Sequence, residues 1–317
     1  MRQQKDNIAF AKVSFITVPK DREGQRIDNF LLNHLKKIPK SCIYRILRSG
    51  EVRVNKKRCK PHYKILANDI IRLPPLWQAG SKELKPTATA TKLLANRIIY
   101  EDESLLILNK PSGMASHGGS GINFGVIETL RAERPDETLE LVHRLDKETS
   151  GCLIIAKKHS ILRQLHELLR EGKIHKKYLL LVRGRWNGKS KIVDAPLLKN
   201  QLAGGERKVK VNEKGKEAIT KFVPQKIFAN ASLLEATLYS GKTHQIRVHS
   251  AYLGFPIALD NKYGDFLFNK QMQKLGLKRL FLHAFELKFK LPNKDKAIFV
   301  KAELDSELSS FLNILNP

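Results

Sequence analysis

The apolar positions fall into two patterned regions separated by a stretch without a usable period. In the first, Ile27, Phe30, Leu31, His34 and Leu35 recur at i, i+3, i+4, i+7 and i+8, which predicts a helix over Gly24–Leu35. Pro39 interrupts it. A second short helix follows, with Ser41 as the expected N-cap, Ile43, Ile46 and Leu47 inward, and Gly50 as the stop. Val52 and Val54 alternate as a strand, Asn55-Lys56 reads as a turn, and Ile70, Ile71 and Leu73 close a small hairpin unit. From Pro74 to Ala95 the pattern dissolves into Pro74-Pro75, Ala79-Gly80-Ser81, Pro86 and a Thr/Ala run, which reads as a flexible linker over 74–95.

Beyond residue 96 short strands outnumber helices. Ile98–Tyr100, Leu105–Leu108, Cys152–Ala156, Tyr178–Val182 and Ser232–Tyr239 read as strands. Ser160–Arg170 is an amphipathic helix, with Ser160 as cap and Gly172 as stop, and Thr243–Leu253 is a helix ended by Gly254 and Pro256. No βαβ rhythm is present, so the expected class is α+β with a mixed, largely antiparallel sheet. The organisation expected is a small N-terminal domain over 1–73, the linker, and a larger domain over 96–317.

Charge changes the picture. Lys and Arg total 58 against 31 Asp and Glu, a net +27. Between Lys36 and Lys64 there are 11 basic residues and one acid, Glu51. A solvated surface normally mixes signs, so this concentration points to a polyanion, nucleic acid or an anionic membrane. A membrane-surface helix would need a long apolar face, and Pro39, Gly50 and Pro61 break this segment, which favours nucleic acid. The residues from Met1 to Asp6 lack the apolar stretch of a secretory signal, and Cys42, Cys59 and Cys152 form no CxxC pair. A cytoplasmic protein with reduced thiols is expected, and a monomer, since no heptad pattern is visible.

Three clusters carry candidate chemistry. Leu141–Gly151 is a polar loop in which Asp146 sits between Arg144 and Lys147; on residues alone it fits an ionised catalytic acid or a structural salt bridge. Lys176-Lys177-Tyr178 opens a strand with a tyrosine that could stack on a base or simply mark a boundary. Ser240–His249 is a strand–loop–helix junction whose Lys242, Thr243 and His244 suit phosphate, with Arg247 one turn on. His244 and His249 are not at metal-pair spacing and no HExxH occurs, so no metal is expected; the Gly118–Gly125 loop lacks GxxxxGK[ST], so it does not read as a triphosphate cradle.

These motifs together resemble the RluA class of pseudouridine synthases. HRLDKETSG (His143–Gly151) matches the class signature, with NKPSG upstream, KKY downstream and SGKTHQIRVH later, in the family's order. The segment from Gly24 to Arg58 resembles the RNA-binding domain named after ribosomal protein S4. HGGSGINFGVIE, APLLKN, DNKYGD and RLFLHA narrow the likeness to members acting on 23S, large-subunit ribosomal RNA. Ser240 and Lys242 stand where many relatives have Thr and Arg, which keeps a hydroxyl and a cation.

The resemblance implies isomerisation of uridine to pseudouridine without a cofactor, on a base flipped out of ribosomal RNA. It implies Asp146 acting on the ribose, as nucleophile or base, with Arg247 pairing to it. Tyr178 is expected against the uracil and helping to remove the C5 proton, and Arg144 entering the vacated stack. Phosphate contacts are expected from Lys242, Thr243 and His244, and from Lys40, Arg45, Arg48, Lys56, Lys57 and Arg58 in the S4-like module. The rival readings are a non-catalytic RNA-binding or ribosome-assembly factor on the same fold, and an RNA glycosidase, which would normally need two carboxylates.

Overall fold

The computed structural model describes residues 9–10, 12–35, 38–77, 86–119, 124–201, 207–292 and 294–315. Two units, Met1–Lys85 and Pro86–Pro317, each carry their own core.

In the smaller unit the helices are Ile27–His34 and Lys40–Arg48, packed on a four-stranded sheet in the order Ser14–Thr17, Ile70–Leu73, Arg53–Val54, Lys57–Arg58. Ile27, Leu31, Ile43, Ile46, Val52, Ile65 and Ile71 are fully buried between them. The second helix begins at Lys40 with Pro39 in the N-cap place, so Ser41 does not cap it. Proline there withdraws a backbone donor that a helix start leaves unpaired anyway. Asn55 and Lys56 both take positive φ, 48° and 67°, which makes the tight two-residue hairpin turn that the sheet twist favours.

The stretch read as a linker is partly ordered. Leu76–Trp77 pairs with Ala9–Phe10, and Ala88–Ala95 is a helix of the larger unit, with Leu94 fully buried. Thr87 caps that helix by accepting the Ala90 N–H, and a side-chain cap outweighs the poor helix propensity of the threonine run. Residues 78–85 lie outside the described residues, as do Lys36, Lys37 and the centre of the glycine-rich loop.

The larger unit is built on a ten-stranded sheet. Its main path runs Lys191–Asp194, Ile219–Ile227, Ala231–Leu238, His175–Arg183, Leu282–Phe289, Ser150–Ala156, Leu105–Lys110 and Ile98–Glu101. Every described pairing in it is antiparallel except one: Ser150–Ala156 runs parallel to Leu282–Phe289. All seven residues of Ser150–Ala156 are buried, as expected of a strand covered on both faces. The helix His159–Arg170 packs beside it; Lys158, not Ser160, takes the N-cap place. The later helix is shorter than the sequence suggests, Gln245–Tyr252, because His244 turns into the left-handed region at φ 54° and ends the loop there.

Candidate active site

The loop that carries Asp146 bridges two paired strands, Glu140–Leu141 and Ser150–Ala156. Its two apolar members, Val142 and Leu145, are buried and anchor it, which leaves Arg144 between them exposed. The buried Ser116 hydroxyl accepts the Leu145 N–H at 3.0 Å and donates to the Leu145 carbonyl at 2.9 Å. Lys110 is fully buried, and its Nζ donates to the carbonyls of Pro111, Met114 and Lys147 at 2.9, 2.7 and 3.1 Å. Ser112 Oγ donates to the Glu148 carbonyl at 2.7 Å. The NKPSG motif is thus a clamp on the backbone that flanks Asp146. On the other side, His143 Nε2 accepts the Ile154 N–H at 3.2 Å. Burial pushes the His143 pKa down to about 3, so it serves as a neutral acceptor.

Asp146 reaches a cleft of about 900 Å³, within the range that admits one nucleotide. Its side chain is 28% exposed, and Oδ2 accepts from Arg247 Nη1 at 3.2 Å. Arg247 has a second partner that sequence reasoning missed. Asp260, fully buried, accepts from Nε and Nη2 at 2.7 Å each, a bidentate fork. The backbone N–H groups of Lys262 and Tyr263 donate to Asp260 at 2.9 and 3.0 Å. Burial raises the Asp260 pKa, but the Arg247 bonds and charge outweigh it and the net shift is downward. Burial likewise opposes the charge on Arg247, and the two carboxylates overcome it, raising its pKa.

His244 stands where it meets both groups. Its Nε2 is 3.8 Å from Asp146 Oδ2, and its Nδ1 is 2.8 Å from Tyr263 Oη. The Val209 N–H donates to the same Oη at 3.0 Å, which fixes the phenol where it meets the imidazole. Burial lowers the His244 pKa, partly offset by Asp146. His244 therefore faces the carboxylate from within the cleft. Tyr178 is buried apart from its edge on the cleft; burial first, then the charge of Asp146, raises its pKa and keeps it a phenol.

Asp146, Tyr178, Arg247, Arg144, Lys242, Thr243 and His244 all line this one cleft. Arg144, Lys242 and Thr243 are exposed on it. In the smaller unit, Lys40, Arg45 and Arg48 are exposed on the second helix and Lys56, Lys57 and Arg58 on the hairpin. Arg45 is partly engaged, 3.8 Å from Glu51. Among the described residues, no group of three His, Cys, Asp or Glu side chains is placed to hold a metal ion.

Residues 104–252 match the family described as RNA pseudouridylate synthase, and residues 25–71 match the S4 domain. A solved structure, human RNA pseudouridylate synthase domain containing 4, superposes with a TM-score of 0.60 at 27% identity, covering 71% of this chain and 95% of its own. Ribosomal large subunit pseudouridine synthase C of Pasteurella multocida is 54% identical, over 99% of this chain and 98% of that one. The protein of the same name from Escherichia coli is 52% identical, over 96% and 97%. The chain belongs to the pseudouridine synthases, with an S4 RNA-binding domain at its N-terminal end.

Proposed function

We propose that this protein isomerises uridine to pseudouridine in large-subunit ribosomal RNA, with the Asp146 carboxylate acting on the ribose. One observation carries the reading. Asp146 opens onto a nucleotide-sized cleft while its partner, Arg247, is locked from behind by a second, buried carboxylate. The two carboxylates on this arginine differ in what they face: Asp260 is buried, and Asp146 opens on the cleft. Here Asp260 holds the guanidinium through Nε and Nη2, and Nη1 is turned to aim Asp146.

The reaction breaks N1–C1′, turns the uracil and joins C5 to C1′; C5 loses a proton and N1 gains one. Nothing is oxidised and no cosubstrate is consumed, so positioned side chains suffice. Asp146 attacks C1′ or takes a proton from C2′. Tyr178 packs against the uracil. As a phenol it hydrogen-bonds, and it can accept the C5 proton only by passing its own onward. Base extrusion costs about a few kcal/mol, and Arg144, exposed and without a carboxylate partner among the described residues, is placed to fill the vacated stack. The exposed cations of the S4 domain supply further phosphate contacts. This reading also places the protein in the cytoplasm as a monomer.

The test is an unmodified large-subunit rRNA transcript. The intact protein forms pseudouridine in it; Asp146→Asn binds the same RNA and forms none. Turnover retained by Asp146→Asn would overturn the assignment, and an inactive wild-type protein that binds tightly would favour the assembly-factor reading.

A further inference from the structure

Lys176 is a cation for which the mechanism above has no use. It lies on the strand His175–Arg183, two residues before Tyr178, and both side chains line the cleft. Lys177, between them, turns to the opposite face and is paired twice, 3.4 Å from Glu235 and 3.7 Å from Glu286. Lys176 is half-buried and has no carboxylate or carbonyl partner among the described residues. Its ammonium instead rests on Gly241, where an added methyl would sit 3.6 Å from Nζ. The next residue is Lys242, also lining the cleft, and like-charge repulsion from it adds to burial in lowering the Lys176 pKa.

The loop that brings the second lysine there is fixed. Gln245, buried, accepts the Lys242 N–H at 3.0 Å and the Ser240 hydroxyl at 2.8 Å. Its amide donates to Ile219 O and Thr220 Oγ1, both at 3.0 Å. The Lys176 ammonium and the side chain of Lys242 thus share one rigidly held corner of a cleft in which, among the described residues, the acidic lining residue is Asp146. Holding a cation in this state destabilises the free protein. The arrangement fits a ligand that arrives with a full negative charge; a uracil carbonyl carries none. Lys176 is also within one strand repeat of Tyr178, about 7 Å, so the cation stands close to where the base would pack.

We propose that Lys176 and Lys242 form a binding site for one phosphodiester of the RNA strand beside the extruded uridine. The inference rests on the pseudouridine-synthase reading. Its probe is the full-length Lys176→Met variant, which keeps the stem and removes the charge. Binding of the unmodified rRNA transcript is measured between roughly 50 and 300 mM KCl. Loss of one phosphate contact makes the slope of log K against log salt shallower by about 0.7–0.9 and weakens binding about fivefold or more at the low-salt end. The RNA-free variant should melt at or above the wild-type temperature, and Lys176→Arg should keep the wild-type slope.

An unchanged slope in Lys176→Met overturns the proposal. A lower melting temperature with an unchanged slope does so too and makes Lys176 structural. Should wild-type protein form no pseudouridine while the slope still shifts, the phosphate site stands and the enzymatic reading falls.

Discussion

Asp260→Asn separates the residue that aims from the residue that reacts. Wild-type Asp260 gives Arg247 two bonds of 2.7 Å and gives two backbone N–H groups an acceptor, all at a side chain with no solvent exposure. Asparagine can face the backbone donors or the guanidinium with its oxygen, and in either pose an NH2 opposes a donor. Breaking one partner of a buried ion pair costs about 3–5 kcal/mol. In a unit of this size that corresponds to roughly 6–20 °C in melting temperature. Arg247, freed from its fork, also loses its fixed approach to Asp146, and a displacement of about 1 Å at a reacting group costs about a hundredfold in rate. The assay pairs thermal unfolding with release of tritium from a transcript labelled at uridine C5, since the C5 proton leaves as the new glycosidic bond is completed. Asp146→Asn is the counterpart: it loses one 3.2 Å bond at a part-exposed group, so it should melt within a few degrees of wild type while releasing no tritium. Asp260→Asn with wild-type melting and undiminished tritium release would refute the claim that Asp260 holds Arg247 in place.

Three further outcomes are expected. Removing residues 1–85 should weaken binding to the rRNA transcript and its salt dependence, while turnover at saturating RNA persists, because the larger unit has its own core; equal binding by the truncated chain would show that the S4 domain is no anchor. Gly151→Ala should cost at least about 3 kcal/mol in denaturant unfolding, since Gly151 takes φ +107° and a Cβ there would collide with the Ala284 backbone across the parallel pair. Stability should fall by about 2–4 kcal/mol between pH 7 and pH 5. Burial depresses the pKa of His143 to about 3 and of His283 to about 4, so the unfolded chain binds protons below its ordinary histidine pKa that the folded chain refuses. The stabilisation is full above about pH 6.5 and is lost as pH falls toward the folded values. Chemical denaturation at the two pH values checks this, and a flat profile would mean that these rings titrate normally.

The sequence disclosed the chemistry better than its supports. Asp146, Tyr178 and Arg247 were legible because each sits in a short motif of fixed order, and the helix over residues 160–170 because its leucines keep a helical period. Asp260 was not, because a buried arginine reveals that it needs carboxylates but not where the second one comes from; the sign available was the count, since a guanidinium has five donors and Asp146 can take only some. Lys110 was hidden because a lysine that ends buried on three carbonyls looks, in sequence, like any surface lysine. The helix Ala88–Ala95 was hidden by its threonines, although Thr87 after Pro86 was a legible cap.

The parallel pairing of Ser150–Ala156 with Leu282–Phe289 sets a schedule for biosynthesis. The strand that follows Asp146 has one neighbour, Leu105–Lys110, made before it and another more than a hundred residues downstream. The S4 domain and the clamp on the Asp146 loop can therefore form during synthesis before Arg247, Asp260 and that later strand have been made. A protein made beside the very class of molecule it alters would in this way gain its RNA-binding half before its aimed carboxylate.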